Sequence, residues 1–309
     1  MTWLTRHDPV SAGRRFRERL AGAEIFRLPG AHNGQAALQA RQAGFEGLYL
    51  SGAAMSASIG LPDLGLVTIE DVCFFIRQVA GASGLPVLVD ADTGYGEALN
   101  VMVTVRRFEE AGAGALHLED QILPKKCGHL SDKRLASPTD MAAKIAAAVR
   151  ARRDLVVIAR TDAVANEGLD AAIARARLYV QAGADAIFPE ALTDIDMMRA
   201  FAEALRGVPL LANMTEFGRT PALTGSELQD LGYRMVIWPV SSLRVANHAQ
   251  DRLYATLRDY DTTSPMIPEM QTRVQLYEVL DYVGFEGLDT RIKECVLPED
   301  FKRPGFAKV

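Results

Sequence analysis

The sequence predicts an α/β protein built as one (β/α)₈ barrel, the TIM barrel, followed by a C-terminal helical extension. The first supporting observation is a weak repeat in which a helix end, an Ala-Gly stop and an apolar run follow one another. The repeat occurs at QAGFEGLYLS (42–51), EAGAGALHLE (110–119) and QAGADAIFPE (181–190). Glycine tolerates the left-handed conformation that ends many helices, so Gly44, Gly112 and Gly183 are expected at helix C-termini. They are 68 and 71 residues apart, which leaves room for two helix–strand units each time.

The second observation is the number of strand patterns. Eight short apolar runs lie at 25–28, 47–51, 86–90, 115–119, 155–160, 186–190, 209–213 and 235–239. The runs are continuous rather than alternating, as in parallel strands whose two faces are covered by helices. An open doubly wound sheet is the alternative, but it normally carries a glycine-rich fingerprint after its first strand. Here the first strand is followed by PGAHNGQ, so the barrel is favoured.

The predicted barrel, with an N-terminal helix, occupies residues 1–260, and residues 261–309 form the extension and tail. In the extension, Pro265 and Pro268 precede a helical pattern over 271–282. Because that segment follows the eighth strand unit, it is expected to lie outside the barrel and to serve oligomer contacts.

The composition excludes several classes of function. Lys and Arg number 34 against 39 Asp and Glu, a formal charge of −5, so there is no basic surplus to neutralise a nucleic-acid backbone. No apolar stretch approaches the roughly 18 residues that a membrane span needs. The N-terminus is charged where a signal peptide is apolar, and three scattered cysteines suggest no disulfide framework. We therefore expect a cytoplasmic enzyme without membrane or nucleic-acid partners.

Polar residues end six of the predicted strands: Ser51, Asp90, Glu119, Arg160, Glu190 and Asn213. A strand also becomes polar simply because the chain leaves the core, and this explains one or two such residues. Carboxylates, an arginine and an amide on one rim instead indicate a functional site at the C-terminal ends of the strands, where the sites of TIM barrels lie.

Asp90-Ala-Asp92 is the sharpest local motif. Residues two apart on an extended segment face the same side, so both carboxylates can reach one cation. With Glu119 nearby, these hard oxygen ligands suit Mg²⁺, or Mn²⁺ in its place. The structural alternative is a turn that Thr93 and Gly94 complete.

A second motif, PKKCGHL (124–130), follows the fourth strand. A thiol among Lys125, Lys126 and His129 lies in an electropositive setting that stabilises thiolate, so Cys127 is a potential nucleophile or acid–base group. Cys73, inside a helical pattern, is expected to be buried and inert.

The substrate class follows from the cations. Arg160 is a potential carboxylate clamp, because its guanidinium binds that group through two hydrogen bonds. Arg244 and Arg273 are further possible contacts, and Asn213 and Thr215 offer neutral polar groups. Three arginines, a magnesium-type site and no long phosphate loop indicate a small polycarboxylate.

The stretch from about residue 22 to residue 285 resembles the isocitrate lyase/phosphoenolpyruvate mutase superfamily, and within it the bacterial 2-methylisocitrate lyases. The matching segments are YLSG (49–52), GLPDLG (60–65), LVDADTGYG (88–96), HLEDQILPKKCGHL (117–130), ARTDA (159–163), FPEA (188–191), NMTEFG (213–218) and MQTR (270–273). KKCGH marks the lyase branch, since mutase members lack its cysteine.

The resemblance implies cleavage of (2S,3R)-2-methylisocitrate to pyruvate and succinate, in the methylcitrate cycle of propionate breakdown. It implies that Asp90 and Asp92 hold the metal, usually Mg²⁺, with Glu119 in support. It also implies a homotetramer in which C-terminal helices are exchanged between subunits.

The resemblance further assigns roles in the reaction. The catalytic residues that it implies are Cys127, Tyr49, Lys125, His129 and Arg160. Cys127 protonates the succinate carbanion, and its basic neighbours stabilise the thiolate that remains. The matching substrate positions are Ser51, Gly52, Ala53, Asp63, Cys127, Gly128, Arg160, Phe188, Glu190, Asn213, Met214, Thr215, Ile237, Pro239, Arg244 and Arg273.

Substrate choice depends on a niche for the extra methyl group. Phe188, Ile237 and Pro239 give this niche an apolar character, as in methylisocitrate lyases. The chain departs from the family's SGGG loop, because Ala53 and Ala54 replace two glycines. A 2,3-dimethylmalate lyase or an oxaloacetate decarboxylase therefore stays open. Isocitrate lyase activity and phosphoryl chemistry of the mutase type fit less well.

Overall fold

The computed structural model describes residues 3–5, 8–126 and 133–293, and eight parallel strands form its centre. The strands are β1 Phe26–Pro29, β2 Leu48–Leu50, β3 Val87–Asp90, β4 Ala115–Glu119, β5 Val156–Thr161, β6 Ala186–Pro189, β7 Leu211–Asn213 and β8 Met235–Trp238. One sheet has the order β2-β3-β4-β5-β6 and the other β1-β8-β7. Parallel bridges from Gly30 to Tyr49 and from Ile187 to Leu210 join the two sheets. The predicted barrel is confirmed, and each strand lies within two residues of its predicted bounds.

Helices surround this barrel. They are α1 Ala12–Leu20, α2 Gly34–Gln42, α3 Gly52–Ser58, α4 Ile69–Ser83, α5 Ala98–Ala111, α6 Pro138–Ala151, α7 Val164–Glu167, α8 Leu169–Gln181, α9 Ile195–Ala204, α10 Gly225–Asp230, α11 Ser241–Tyr260, α12 Arg273–Leu280 and α13 Tyr282–Lys293. The expected helix stops are confirmed, because Gly44, Gly112 and Gly183 have φ values of 90°, 109° and 105°. None of the helices in these ranges is long and apolar enough to cross a membrane.

The helix predicted over 271–282 corresponds to α12, which lies within two residues of those bounds, and a further helix, α13, follows it. Two helices, α12 and α13, are separated at Asp281, which has a φ of 55° and ends α12 in the left-handed conformation. The predicted end of the helix thus lies beside the observed one, and α13 is the element that the prediction lacked.

Two apolar layers surround the strands. Residues such as Leu28, Leu88 and Ile158 fill the barrel interior, and a larger cluster lies between the strands and the outer helices. Helix α1 covers the N-terminal end of the barrel, where the ring of Phe16 packs 5.1 Å from that of Phe26. The other end of the interior, which we term the mouth, is where the carboxyl ends of the strands bring their polar residues together.

Closure of the barrel leaves no room at Gly30, where a Cβ atom would lie 2.1 Å from the carbonyl oxygen of Pro239. We expect Gly30→Ala to destabilise the protein by about 1–3 kcal/mol, because backbone must move to admit the methyl group. Gly81→Ala in α4 is the control, since its Cβ would meet no atom within 4 Å. Urea unfolding curves measure both variants, and equal stability of the two would contradict the closure geometry.

Candidate active site

The mouth encloses a cavity of about 110 Å³. It is lined by Tyr49, Ser51, Ala53, Asp63, Asp90, Glu119, Lys125, Lys126, Arg160, Phe188, Glu190, Asn213, Thr215, Pro239, Val240 and Arg244. Most of the residues predicted from the sequence therefore meet in one place. Lys126 and Val240 are wall residues that were not predicted as substrate contacts.

Arg160, at the end of β5, is the cation at the centre of this site. Its Nε and Nη2 donate to the two carboxylate oxygens of Asp162 at 3.0 and 3.1 Å. Its Nη1 lies 3.3 Å from Oε2 of Glu119, and Nη2 lies 3.3 Å from Oε2 of Glu190. The guanidinium also lies 5.2 Å from the ring centre of Phe188. These contacts hold a positive charge at the cavity wall, where it can meet a substrate carboxylate.

Asp90 and Asp92 converge as predicted, but for a different reason. Strand β3 ends at Asp90, and Asp92 has a φ of 47°, so the segment is a turn rather than an extended pair. The Asp92 amide donates to Oδ1 of Asp90 at 3.0 Å. A Cβ on Gly52 would lie 2.9 Å from Oδ2 of Asp90 and 3.3 Å from Oδ1 of Asp92, so both carboxylates border the same point. Glycine is needed here because a Cβ atom would lie too close to the Asp90 carboxylate, to which the Gly52 amide donates at 3.1 Å.

Lys125 bridges this pair to the loop before α4. Its ammonium lies 2.5 Å from Oδ1 of Asp63 and contacts Oδ1 of Asp92. The side chain of Lys125 is only 3% exposed, so its charge is directed at the carboxylates and not at solvent. Lys125 and Asp63 are 62 residues apart in the sequence, so no local pattern predicts this contact.

The carboxylates of the mouth suit a divalent cation. Oε1 of Glu119 is buried without a hydrogen-bond partner among the described residues. Burial and the charge of Asp90 raise the pKa of Asp92 to about 7, and burial raises the pKa of Glu119 well above its usual value. Both shifts mark carboxylates whose negative charge is incompletely compensated.

A count of charges also indicates an excess of negative charge at the mouth. With every group counted as ionised, five buried carboxylates stand against three buried cations, a formal excess of two negative charges. The carboxylates are Asp90, Asp92, Glu119, Asp162 and Glu190, and the cations are Lys125, Lys133 and Arg160. Within the described ranges, no three His, Cys, Asp or Glu side chains are grouped to hold a metal alone. Mg²⁺ commonly uses one or two carboxylates and completes its shell with water, so the residues fit this ion.

Tyr49 has a partner, His117, that is absent from the residues predicted for the site. Its hydroxyl lies 2.8 Å from Nε2 of His117, and the two rings are stacked. Burial lowers the pKa of His117 to about 4, so its imidazole is neutral near pH 7. Burial and the charge of Asp90 raise the pKa of Tyr49, which keeps the phenol protonated. Its position in the sequence could have indicated this role, because His117 lies two residues before Glu119 and faces the same way on β4.

Arg244, at the start of α11, reaches the cavity rim. Its Nη1 donates to Oε2 and to the carbonyl oxygen of Glu216 at 2.7 and 2.8 Å, and lies 3.5 Å from Oγ1 of Thr215. Its side chain is 41% exposed, so this arginine, unlike Arg160, remains accessible to solvent.

Several predicted residues lie elsewhere. Ile237 is buried in the barrel interior, and Met214 is buried with its sulfur accepting the amide of Leu223. Arg273 begins α12 and is exposed. Cys127, Gly128 and His129 lie outside the described residues, so their predicted roles remain predictions. Cys73 is buried, as expected.

Comparisons with known proteins agree with this fold. The family profile of phosphoenolpyruvate phosphomutase matches residues 16–258. The chain is 49% identical to 2-methylisocitrate lyase of Bacillus subtilis, over 97% of this chain and all of the relative. It is 51% identical to 2-methylisocitrate lyase of Halalkalibacterium halodurans, over 92% and 95% of the two chains.

Solved structures of other enzymes share the same fold. A crystal structure of 2,3-dimethylmalate lyase superposes with a TM-score of 0.87 at 34% identity, covering 92% of this chain and 96% of that one. Phosphonopyruvate hydrolase in complex with oxalate and Mg²⁺ superposes with a TM-score of 0.83 at 30% identity, covering 91% and 99%. The chain therefore belongs to the phosphoenolpyruvate mutase/isocitrate lyase superfamily of enzymes.

Proposed function

We propose that this chain is a 2-methylisocitrate lyase, which cleaves (2S,3R)-2-methylisocitrate to pyruvate and succinate. The observation that carries the proposal is the match of about half of all residues to 2-methylisocitrate lyases across nearly their whole length. The solved structures of 2,3-dimethylmalate lyase and phosphonopyruvate hydrolase named above are less similar, at 34% and 30% identity. The KKCGH segment, which resembles the lyase branch, supports the same choice.

The cavity suits a small polycarboxylate. Its volume of about 110 Å³ is below that of pockets that hold drug-sized ligands, which are about 300 Å³ or more. Arg160 and Arg244 offer guanidinium groups to carboxylates, and Asn213 and Thr215 offer neutral polar groups beside them. Charged groups at fixed positions in a buried site bind such a substrate strongly and orient it.

The proposed reaction breaks the C2–C3 bond. The C2 hydroxyl passes its proton to a carboxylate of the mouth, and its oxygen forms the carbonyl of pyruvate. Tyr49 and Arg160, both protonated, assist by donating hydrogen bonds to that oxygen as its charge develops. The bonding electron pair passes to C3, where the adjacent carboxylate stabilises it as an aci-carboxylate. Cys127 then donates a proton to C3 and completes succinate, while Lys125 and His129 stabilise the thiolate.

We propose that Asp90 and Asp92 hold Mg²⁺, with Glu119 in support; bound there, the ion would polarise the oxygens of the 2-hydroxyacid end of the substrate. Exhaustive treatment with EDTA is expected to remove activity, and added Mg²⁺ or Mn²⁺ to restore it. The decisive measurement is pyruvate release before and after re-addition of the metal. Full activity in the presence of the chelator would exclude this role for the carboxylates.

The methyl group of the substrate is expected to contact the apolar part of the wall. Phe188 and Pro239 line the cavity, and Ile237 is buried in the same apolar cluster of the barrel interior as Phe188. Ala53 also lines the cavity, whereas Ala54 is buried, so one of the two extra methyl groups in this loop meets the ligand space. One methyl group in such a niche contributes about 1–3 kcal/mol, so discrimination between related acids is graded.

A side-by-side assay tests the substrate. Purified protein with Mg²⁺ is given 2-methylisocitrate, isocitrate, 2,3-dimethylmalate or oxaloacetate, and kcat/KM is measured from the keto acid released. The proposal expects 2-methylisocitrate to be the best substrate. A higher kcat/KM for oxaloacetate or 2,3-dimethylmalate would assign the enzyme to one of those activities. Ala53→Gly, which restores the family's glycine in this loop, would then be the first variant to test.

We also propose a homotetramer with exchanged C-terminal helices. Helix α11 has no buried residue in one chain and exposes Val245, Tyr254 and Tyr260, and α13 exposes Val283. Such apolar surface favours burial against other subunits. Light scattering is expected to give four times the mass of one chain, and a monomeric mass would contradict the proposal.

A further inference from the structure

A chain of buried hydrogen bonds connects Arg160 to a helix on the outside of the barrel. The first link is Asp162, whose carboxylate takes both the Nε and the Nη2 donors of Arg160. Arginine has a long, rotatable side chain, and two parallel hydrogen bonds fix the plane of its guanidinium. The direction in which Arg160 presents its charge to the cavity therefore depends on where Asp162 is held.

Asp162 lies just beyond the last residue of β5, so sheet pairing alone does not fix it. Its backbone amide donates to Oδ1 of Asp120 at 2.8 Å, and its carboxylate accepts from Nζ of Lys133 at 2.8 Å. Asp162 and Asp120 are both fully buried. Asp120 is thus the second link, and it sets the position of the Asp162 backbone.

Asp120 is held from outside the barrel wall. Its Oδ2 accepts the hydroxyl groups of Thr161 and Tyr179, each at 2.8 Å. Nη1 of Arg175 lies 3.4 Å from the same oxygen and 3.2 Å from the Tyr179 hydroxyl. Tyr179 and Arg175 belong to α8, and Arg175 is anchored in turn by two hydrogen bonds to Glu167 at 2.7 and 2.6 Å.

We propose that Asp120 and Tyr179 are positioning residues that act on the substrate-binding arginine through Asp162. The relay runs from Tyr179 to Asp120, Asp162 and Arg160. It deepens the proposed function and rests on it, because it concerns the arginine that we assign to a carboxylate of the substrate. A satisfied buried cluster also stabilises any fold, so the test must report on Arg160 and not on folding alone.

The test variant is Tyr179→Phe, which removes one donor from Asp120 and keeps the ring. Asp120→Asn is the more direct change, but it leaves donors unmatched in the core and risks loss of folding. The matched control is Tyr233→Phe, because Tyr233 is equally buried and its hydroxyl has no hydrogen-bond partner among the described residues. We expect Tyr179→Phe to lower kcat/KM by about two- to thirtyfold, the range for changes within a coupled network, and Tyr233→Phe to leave it unchanged.

A double-mutant cycle with Arg160→Lys identifies the route of the effect. If the relay acts through the guanidinium, Tyr179→Phe causes no further loss once lysine, which cannot make the two-pronged contact, replaces Arg160. Equal losses in both backgrounds, or equal activity of Tyr179→Phe and Tyr233→Phe, would overturn the relay.

A second readout separates the relay from the substrate assignment. The same cycle is measured by calorimetry with oxalate and Mg²⁺, the pair bound by phosphonopyruvate hydrolase in its crystal structure. If 2-methylisocitrate is not cleaved but Tyr179→Phe weakens oxalate binding only when Arg160 is present, the proposed function fails and the relay stands. If 2-methylisocitrate is cleaved and the oxalate cycle is additive, the function stands and the relay fails.

Discussion

Cys127→Ser is expected to lower kcat by about 10²–10⁴-fold, the usual contribution of a general acid. Serine keeps the size of the side chain, but its hydroxyl is a far weaker acid than a thiol among basic neighbours. Protonation of the carbanion at C3 would then be slow, whereas the groups that bind the substrate are unchanged. Steady-state kinetics and calorimetry with oxalate and Mg²⁺ measure the two effects separately.

Cys73→Ala provides the control for this experiment. Cys73 is buried in α4 and does not line the cavity, so its replacement removes a thiol without touching the site. We expect this variant to retain kcat. Near-normal cleavage by Cys127→Ser would remove the proposed acid and leave the proton donor to another residue of the mouth.

Arg160→Lys has the second large expected effect. Lysine retains the positive charge, but it loses the two hydrogen bonds to Asp162 and the planar contact with Phe188. Breaking one partner of a buried, hydrogen-bonded charge pair costs about 2 kcal/mol or more, so kcat/KM is expected to fall at least about thirtyfold. The assay of keto acid release described above gives the value.

Arg152→Lys is the matched control for Arg160→Lys. Arg152 also pairs with an aspartate, Asp185, but just before β6, at the end of the barrel opposite the mouth. Loss of an arginine–aspartate pair there is expected to change the free energy of unfolding. Because the pair lies far from the mouth, kcat/KM is expected to stay within about twofold of the wild type. Comparable losses in the two variants would mean that Arg160 supports the fold and does not act on the substrate.

The sequence predicted the barrel well because its signals are local. Apolar runs such as Leu155–Arg160 are bounded by polar or glycine residues, and stops such as Gly112 repeat at a nearly constant interval. Once the strands are known, the direction of parallel strands brings Asp90 and Glu119 to one rim. That step requires only the order of the strands, and the structure confirms it.

The rest of the site depends on contacts between distant parts of the chain. Lys125 meets Asp63, and Asp120 meets Tyr179, across 62 and 59 residues of sequence. No periodicity encodes such a pair, because it arises only when separate loops and helices pack together. At Asp90-Ala-Asp92 the sequence left an extended pair and a turn both open, and the structure shows the turn, with Asp92 left-handed and its amide donating to Asp90.

The central claim is that the enzyme splits 2-methylisocitrate between C2 and C3 and protonates C3. The most direct test is one reaction in D₂O with Mg²⁺, followed by NMR and mass spectrometry of the products. We expect equal amounts of pyruvate with an unlabelled methyl group and of succinate carrying one deuterium. Unchanged 2-methylisocitrate would contradict the claim, and so would succinate formed without deuterium.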